Sequence, residues 1–126
     1  MKKIKIAAGL AHVDYGHLAD IVSEATKAGA DYIHSDAADM HDLKNMQLMG
    51  GHQIIQGIKP YTDKPIECHI YTEPCDRLFI EKLAEVGTDM LIIPAEHFIG
   101  APAEVIETAR IAFEKIARAI PAVHEF

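Results

Sequence analysis

Four short segments typical of β-strands alternate along this chain with segments whose apolar residues recur at helical spacing. The predicted strands cover residues 4–10, 31–36, 66–70 and 89–93. Strands that are separated by helices run parallel, because each crossover returns the chain to the same end of the sheet. The alternation therefore predicts an α/β fold made of four consecutive βα units.

The predicted helices are recognised by apolar stripes and by the residues that bound them. Asp14 is the predicted N-cap of the first helix, Gly29 and Gly87 end the first and third helices, and Pro60 stops the second. A last helix is predicted over residues 102–121. The stripes consist of Leu18, Ile21, Val22, Ala25 and Ala28; Ile54, Ile55 and Ile58; Leu78, Phe79, Leu83 and Val86; and Val105, Ile106, Ala109, Phe113, Ile116 and Ile120.

No low-complexity linker divides the chain, which predicts one domain over residues 1–126, and an internal repeat supports the alternation of strands and helices. Residues 28–33 and 86–91 share the end of a helix, a glycine, a small residue, an aspartate and the start of a strand. A closed (β/α) barrel needs eight such units in about 250 residues. Four units predict either a small open sheet or half of a barrel, and the pattern alone leaves both possible.

Composition excludes several classes of protein. The chain has 12 Lys and Arg against 19 Asp and Glu, a net charge of −7, which argues against nucleic-acid binding. It has no apolar run near the roughly 20 residues that a membrane helix needs. Its basic first residues are not followed by the apolar stretch and cleavage site of a secretion signal. The spacing of Cys68 and Cys75 fits neither a disulfide scaffold nor a C-x-x-C pair. We expect a cytoplasmic protein.

Polar side chains enter two neighbouring predicted strands on one face. Side chains at positions i and i+2 of a strand share a face, so His34 lies on the same side as Asp36, and Glu67 on the same side as His69. These pairs lie near the carboxyl ends of their strands, where α/β folds carry ligand sites. Imidazole and carboxylate groups suit a divalent metal or acid–base catalysis. The alternative is that the four residues have a structural role, in which they hydrogen-bond one another or cap adjacent loops.

Two segments resemble the ribulose-phosphate 3-epimerase family. Residues 31–39, Asp-Tyr-Ile-His-Ser-Asp-Ala-Ala-Asp, with His41 and Asn45 after them, resemble the family's second-strand segment. Residues 67–77, Glu-Cys-His-Ile-Tyr-Thr-Glu-Pro-Cys-Asp-Arg, resemble its third-strand segment. The likeness extends over about residues 3–97 and implies a parallel (βα)4 half, the N-terminal one, of a TIM (β/α)8 barrel.

The resemblance also implies an activity. The family inverts C3 of ketose phosphates through an enediolate, with two acid–base carboxylates and a divalent metal ion. Carried over to this sequence, His34, Asp36 and His69 become metal ligands, and Asp36 is also the catalytic acid–base residue. The metal is of the Zn, Fe, Mn or Co type, and the implied partner is a small sugar phosphate.

The sequence departs from the family around the expected substrate. Gly9 replaces a serine, and Ala38 and Tyr71 replace methionines. Together with His41, for which a surface position is the alternative, they are the predicted substrate-binding residues. These changes suggest another ketose phosphate, such as a hexulose phosphate.

The family's second catalytic aspartate and its phosphate-binding glycine loops belong to the second half of the barrel, and no counterpart follows in this sequence. We therefore expect a piece of a longer enzyme or a half-barrel that is completed as a homo-oligomer. A self-associating half-barrel without catalysis is the principal alternative, and decarboxylation of a sugar phosphate is another, since a fold does not determine a function.

Overall fold

The computed structural model describes residues 3–38, 50–71 and 77–92, together with three helical positions at 103, 107 and 110. The described part contains one parallel four-stranded sheet with the strand order β1-β2-β3-β4, which confirms the predicted α/β fold. The strands are β1 (Ala7–Gly9), β2 (Tyr32–Ala38), β3 (Ile66–Tyr71) and β4 (Met90–Ile92). Most of the predicted last helix lies outside the described residues.

Up to residue 92, the described part of the chain has three α-helices, each of which connects two successive strands. They are α1 (Leu18–Lys27), α2 (Gly51–Ile58) and α3 (Arg77–Glu85). Asp14 caps a 3-10 turn, Tyr15–His17, by accepting a hydrogen bond from Gly16 N at 2.9 Å, so α1 itself begins one turn later than predicted. Pro60 lies in a second 3-10 turn that follows α2. Among the described residues, no helix combines the length and apolar character that crossing a bilayer requires.

The core lies between the helices and one face of the sheet. Alternate residues of β2 and β3 are buried there against side chains of all three helices. The largest fully buried side chains are Ile33, Ile55, Ile58, Ile66, Ile70, Ile80, Leu83, Val22 and Cys68. Because the described helices cover this face, the alternate side chains of each strand point to the opposite face of the sheet.

Two sequence-based assignments are wrong in detail. Leu78 was predicted to lie in the apolar stripe of α3, but it is 67% exposed, and Ile80 is buried in that helix instead. The first strand begins at Ala7 rather than at Ile4. Ile4 and Ile6 precede it and are 85% and 63% exposed. An apolar run of residues predicts burial only where another element of the fold packs against it.

The internal repeat has the same structure in both copies. Its two glycines adopt left-handed backbone conformations, with φ of 96° at Gly29 and 91° at Gly87. Asp31 then accepts a hydrogen bond from Ile6 N at 2.9 Å, and Asp89 accepts one from Ile66 N at 2.7 Å. Each aspartate therefore ties the start of its own strand to the start of the preceding strand.

Candidate metal and acid–base site

The face of the sheet opposite the helices carries two rows of paired polar residues. The pairing of β2 with β3 places His34 directly beside Glu67 and Asp36 directly beside His69. Each histidine therefore faces a carboxylate on the neighbouring strand. Successive same-face positions are about 6.6 Å apart along a strand, so the row of Asp36 and His69 lies nearer the carboxyl ends.

Asp36 lies between the two histidines. Its Oδ1 is 3.3 Å from Nε2 of His34 and 3.8 Å from Nδ1 of His69. The two imidazole rings lie edge to face, with centroids 6.1 Å apart and planes inclined by 75°. The predicted ligand set is thus brought together, and among the described residues these three offer donor atoms that all lie within 4.8 Å of one another.

The donor set fits a divalent metal ion. Imidazole nitrogen and carboxylate oxygen bind zinc-like ions at about 2.0–2.2 Å, so two ligands of one ion are at most roughly 4.4 Å apart. The contacts of Asp36 with His34 and His69, at 3.3 and 3.8 Å, are inside that limit. The side chains are between 12% and 23% exposed, which leaves them sheltered but reachable. The whole set lies within 4.8 Å, slightly wider than this limit, so the side chains would need to move by a few tenths of an ångström to bind one ion together.

Glu67 lies on this face, as strand alternation predicts, but its pairing with His34 in particular is not predicted by alternation alone. Its Oε1 lies 2.6 Å from Nδ1 of His34, on the side of the ring away from Asp36, and its side chain is 14% exposed. The sequence signal for this pairing is the opposite order of the histidine and the carboxylate in the two strand motifs. His-x-Asp beside Glu-x-His pairs a histidine with a carboxylate twice when the strands are in direct register.

Three of the four predicted substrate-binding residues line this face. The ring of Tyr71 contacts that of His69, with centroids 4.0 Å apart and planes inclined by 42°, and Tyr71 is paired with Ala38 on β2. Gly9 pairs with His34, and beyond its chain neighbours no part of the described structure would lie within 4 Å of a Cβ at Gly9. The site therefore has an aromatic side chain beside His69 and open space beside His34. His41 lies outside the described residues.

Cys68 lies between the two site residues of β3 in sequence but faces the helices. Burial, and secondarily the negative charge of Asp36, raise the pKa of its thiol to about 12. Cys68 is free and buried, so it is a protonated core residue rather than a thiolate ligand. Cys75 lies outside the described residues.

The fold and the site together define a class. Parallel βα units with helices on one face of the sheet, and a His–Asp–His cluster towards the carboxyl ends of the strands on the other face, are the arrangement of part of a (β/α) barrel. A sequence model of the ribulose-phosphate 3-epimerase family matches residues 5–120. The chain belongs to this family.

Individual relatives agree with the family match. The chain is 34% identical over 93 residues to ribulose-phosphate 3-epimerase from Bacillus subtilis, covering 74% of this chain and 42% of the relative. It is 35% identical over 95 residues to ribulose-phosphate 3-epimerase from Methanocaldococcus jannaschii, covering 75% of this chain and 39% of that relative. The chain thus spans about two fifths of the length of these relatives.

A solved structure supports the fold independently of sequence. A mandelate oxidase mutant bound to (S)-mandelic acid is similar with a TM-score of 0.56 at 13% identity, over 86% of this chain and 38% of that one. At this identity the similarity concerns the fold alone, and it is again partial for the larger protein.

Proposed function

We propose that this chain forms the His–Asp–His half of a metal-dependent ketose-phosphate 3-epimerase, with residues 1–126 as one N-terminal half-barrel domain. The observation that carries the proposal is the convergence of His34, Asp36 and His69 near the carboxyl ends of adjacent strands. Membership of the epimerase family supplies the reaction class. The proposed ligands of a divalent ion, of the Zn, Fe, Mn or Co type, are these three side chains.

Asp36 is the proposed acid–base residue. Its carboxylate lies at the centre of the cluster and is 12% exposed, so it is sheltered and still open to a small substrate. It would take the proton from C3 of a ketose phosphate, giving an enediolate, and could return it to the same face. A divalent ion, when bound, stabilises the negative charge that develops on the neighbouring substrate oxygen. Inversion needs a second acid on the opposite face, since one carboxylate reaches only one side.

The substrate that we propose is a hexulose phosphate. Gly9 leaves open space beside His34, since no atom of the described residues other than its chain neighbours lies within 4 Å of a Cβ built there. Ala38 presents only a methyl group at the position paired with Tyr71. Small residues at both places favour a ketose longer than the five-carbon sugar in the name of the relatives.

We further propose that the site is completed by self-association of this chain. We also propose that the protein is cytoplasmic. The exposed side chains of Tyr71 and Ile92, 40% and 37%, support the covering of this face by a second copy. A reduced, buried thiol at Cys68 suits a cytoplasmic protein. Sedimentation velocity gives the oligomeric state, and a protein that stays monomeric at every concentration would contradict the homo-oligomer.

The proposal is tested by comparing Asp36→Asn with Asp63→Asn. Both changes remove one carboxylate, but Asp63 is 81% exposed and lies outside the site. Isothermal titration with Co²⁺ should show one site in the wild type and in Asp63→Asn, weakened on the order of 100-fold or more in Asp36→Asn, because a ligand is lost.

Proton exchange tests the chemistry separately. With Co²⁺ and a ketose phosphate in D₂O, the wild type should introduce deuterium at C3, which mass spectrometry detects, and Asp36→Asn should not. This half-reaction needs only one carboxylate. Equal Co²⁺ affinity and equal exchange in wild type and Asp36→Asn would remove the assignment.

A further inference from the structure

We propose that Glu67 is a positioning residue that holds the proton of His34 on Nδ1 and so directs the lone pair of Nε2 towards Asp36 and His69. The importance of this role for metal binding rests on the proposed function. The choice of tautomer itself is a property of this chain's own residues.

The contact geometry favours one proton position. Oε1 of Glu67 lies 2.6 Å from Nδ1 of His34, whereas Oδ1 of Asp36 lies 3.3 Å from Nε2. An ionised carboxylate can only accept a hydrogen bond, so the two carboxylates compete for the single N–H of a neutral imidazole. Hydrogen bonds to an ionised carboxylate are shorter and stronger than neutral ones, and the 3.3 Å contact is longer than their usual length of about 2.7–2.9 Å. The shorter contact therefore takes the proton, and Nδ1–H donates to Glu67.

The sheet keeps Glu67 in this position. His34 and Glu67 are directly paired residues of β2 and β3, so their backbones are held side by side by the ladder rather than by flexible loops. Both side chains are largely sheltered, with 23% and 14% exposure. A sheltered carboxylate is costly without a donor, and His34 is the donor that the described residues place beside it.

Loss of Glu67 would favour the other tautomer of His34. Without that acceptor, the proton of His34 can move to Nε2 and be donated to Asp36. The proton would then occupy the nitrogen that faces the cluster and would engage the carboxylate that a cation needs. Metal-binding histidines commonly donate their other ring nitrogen to a carboxylate for this reason, and loss of such a partner lowers metal affinity about 10–100-fold.

The tautomer is measured directly by ¹⁵N NMR of the histidine rings in the metal-free protein. At a pH of about 8.5 an ordinary imidazole is neutral, and His34 of the wild type should carry its proton on Nδ1. Glu67→Gln should shift His34 towards the Nε2–H form. Glu85→Gln is the matched control, because Glu85 is an exposed residue of α3 paired with Lys82. A wild-type His34 protonated on Nε2, or on both nitrogens, would overturn the inference.

Metal affinity provides the second measurement. Titration with Co²⁺ should show a loss of about 10–100-fold in Glu67→Gln, no change in Glu85→Gln, and a smaller loss in Glu67→Asp, which keeps the acceptor charge. Affinity in Glu67→Gln within twofold of the wild type would overturn the positioning role. If the wild type binds no Co²⁺ while His34 remains protonated on Nδ1, the proposed function fails and the tautomer assignment stands.

Discussion

Asp36 and His69 occupy directly paired positions of β2 and β3, with Oδ1 of the first 3.8 Å from Nδ1 of the second. That separation is too long for a direct hydrogen bond between these two atoms, which needs about 2.7–3.2 Å. It is short enough for both atoms to bind one ion. The two atoms are therefore spaced as two ligands of one divalent cation would be.

Replacing His69 should therefore weaken metal binding without unfolding the protein. In His69→Gln the imidazole nitrogen is lost, and we expect Co²⁺ affinity to fall by more than about 100-fold. This is the largest loss typical of residues that only hydrogen-bond a metal ligand. The control is His12→Gln, since His12 is exposed in the segment before α1. Calorimetric titration compares the two. Equal affinities would show that His69 is not a ligand.

Gly51 should be intolerant of a side chain although it lies in a helix. A Cβ there would be 2.7 Å from Cζ of Phe79 and 3.4 Å from Cβ of Ala37, so Gly51→Ala is expected to cost about 1–3 kcal/mol through overpacking. At Gly57, in the same helix, such a Cβ would meet none of the described atoms outside the local helix backbone within 4 Å. Gly57→Ala should instead stabilise by about 0.5–1 kcal/mol. Urea unfolding distinguishes them, and equal effects would contradict the packing.

Asp89 should contribute more to stability than an exposed aspartate. Its Oδ2 accepts hydrogen bonds from Ile66 N at 2.7 Å and from Lys59 Nζ at 2.8 Å, and its side chain is 24% exposed. Asp89→Asn should lower the free energy of unfolding by about 1.5–3 kcal/mol, the range for hydrogen bonds to a charged group. Asp63→Asn, at an 81% exposed position, should change it by less than about 0.5 kcal/mol. Matched urea midpoints for the two variants would refute this role.

Asp14 should titrate below an ordinary aspartate. The hydrogen bond with His17, and next the one from Gly16 N, lower the pKa of its carboxyl group. A lowered pKa means that the contribution to folding is present above the unfolded value and disappears as the pH falls through the folded value. His17→Gln should move the pKa of Asp14 back towards 3.8. Carbonyl ¹³C NMR titration measures it, and an unchanged pKa would exclude His17 as the main cause.

Much of the site could be predicted because strand alternation is local. The order His34, Ser35, Asp36 places the first and third side chains on one face in any strand, and burial of Ser35 on the other face confirms it. The left-handed glycines Gly29 and Gly87 were likewise recognisable, since few other residues adopt positive φ at low cost. Leu78 shows the limit, because helical spacing alone does not decide which side of a short helix meets the sheet.

The sequence by itself determined the succession of βα units and the sidedness of His34, Asp36, Glu67 and His69, since both follow from short-range periodicity. Only the tertiary structure decided that β2 and β3 pair without offset, so that Glu67 lies against His34 and Asp36 against His69. Register between parallel strands depends on the crossover between them and on the packing of its helix against the core. Those are long-range contacts, and a slip of two residues would keep every side chain on its face while separating the members of both pairs.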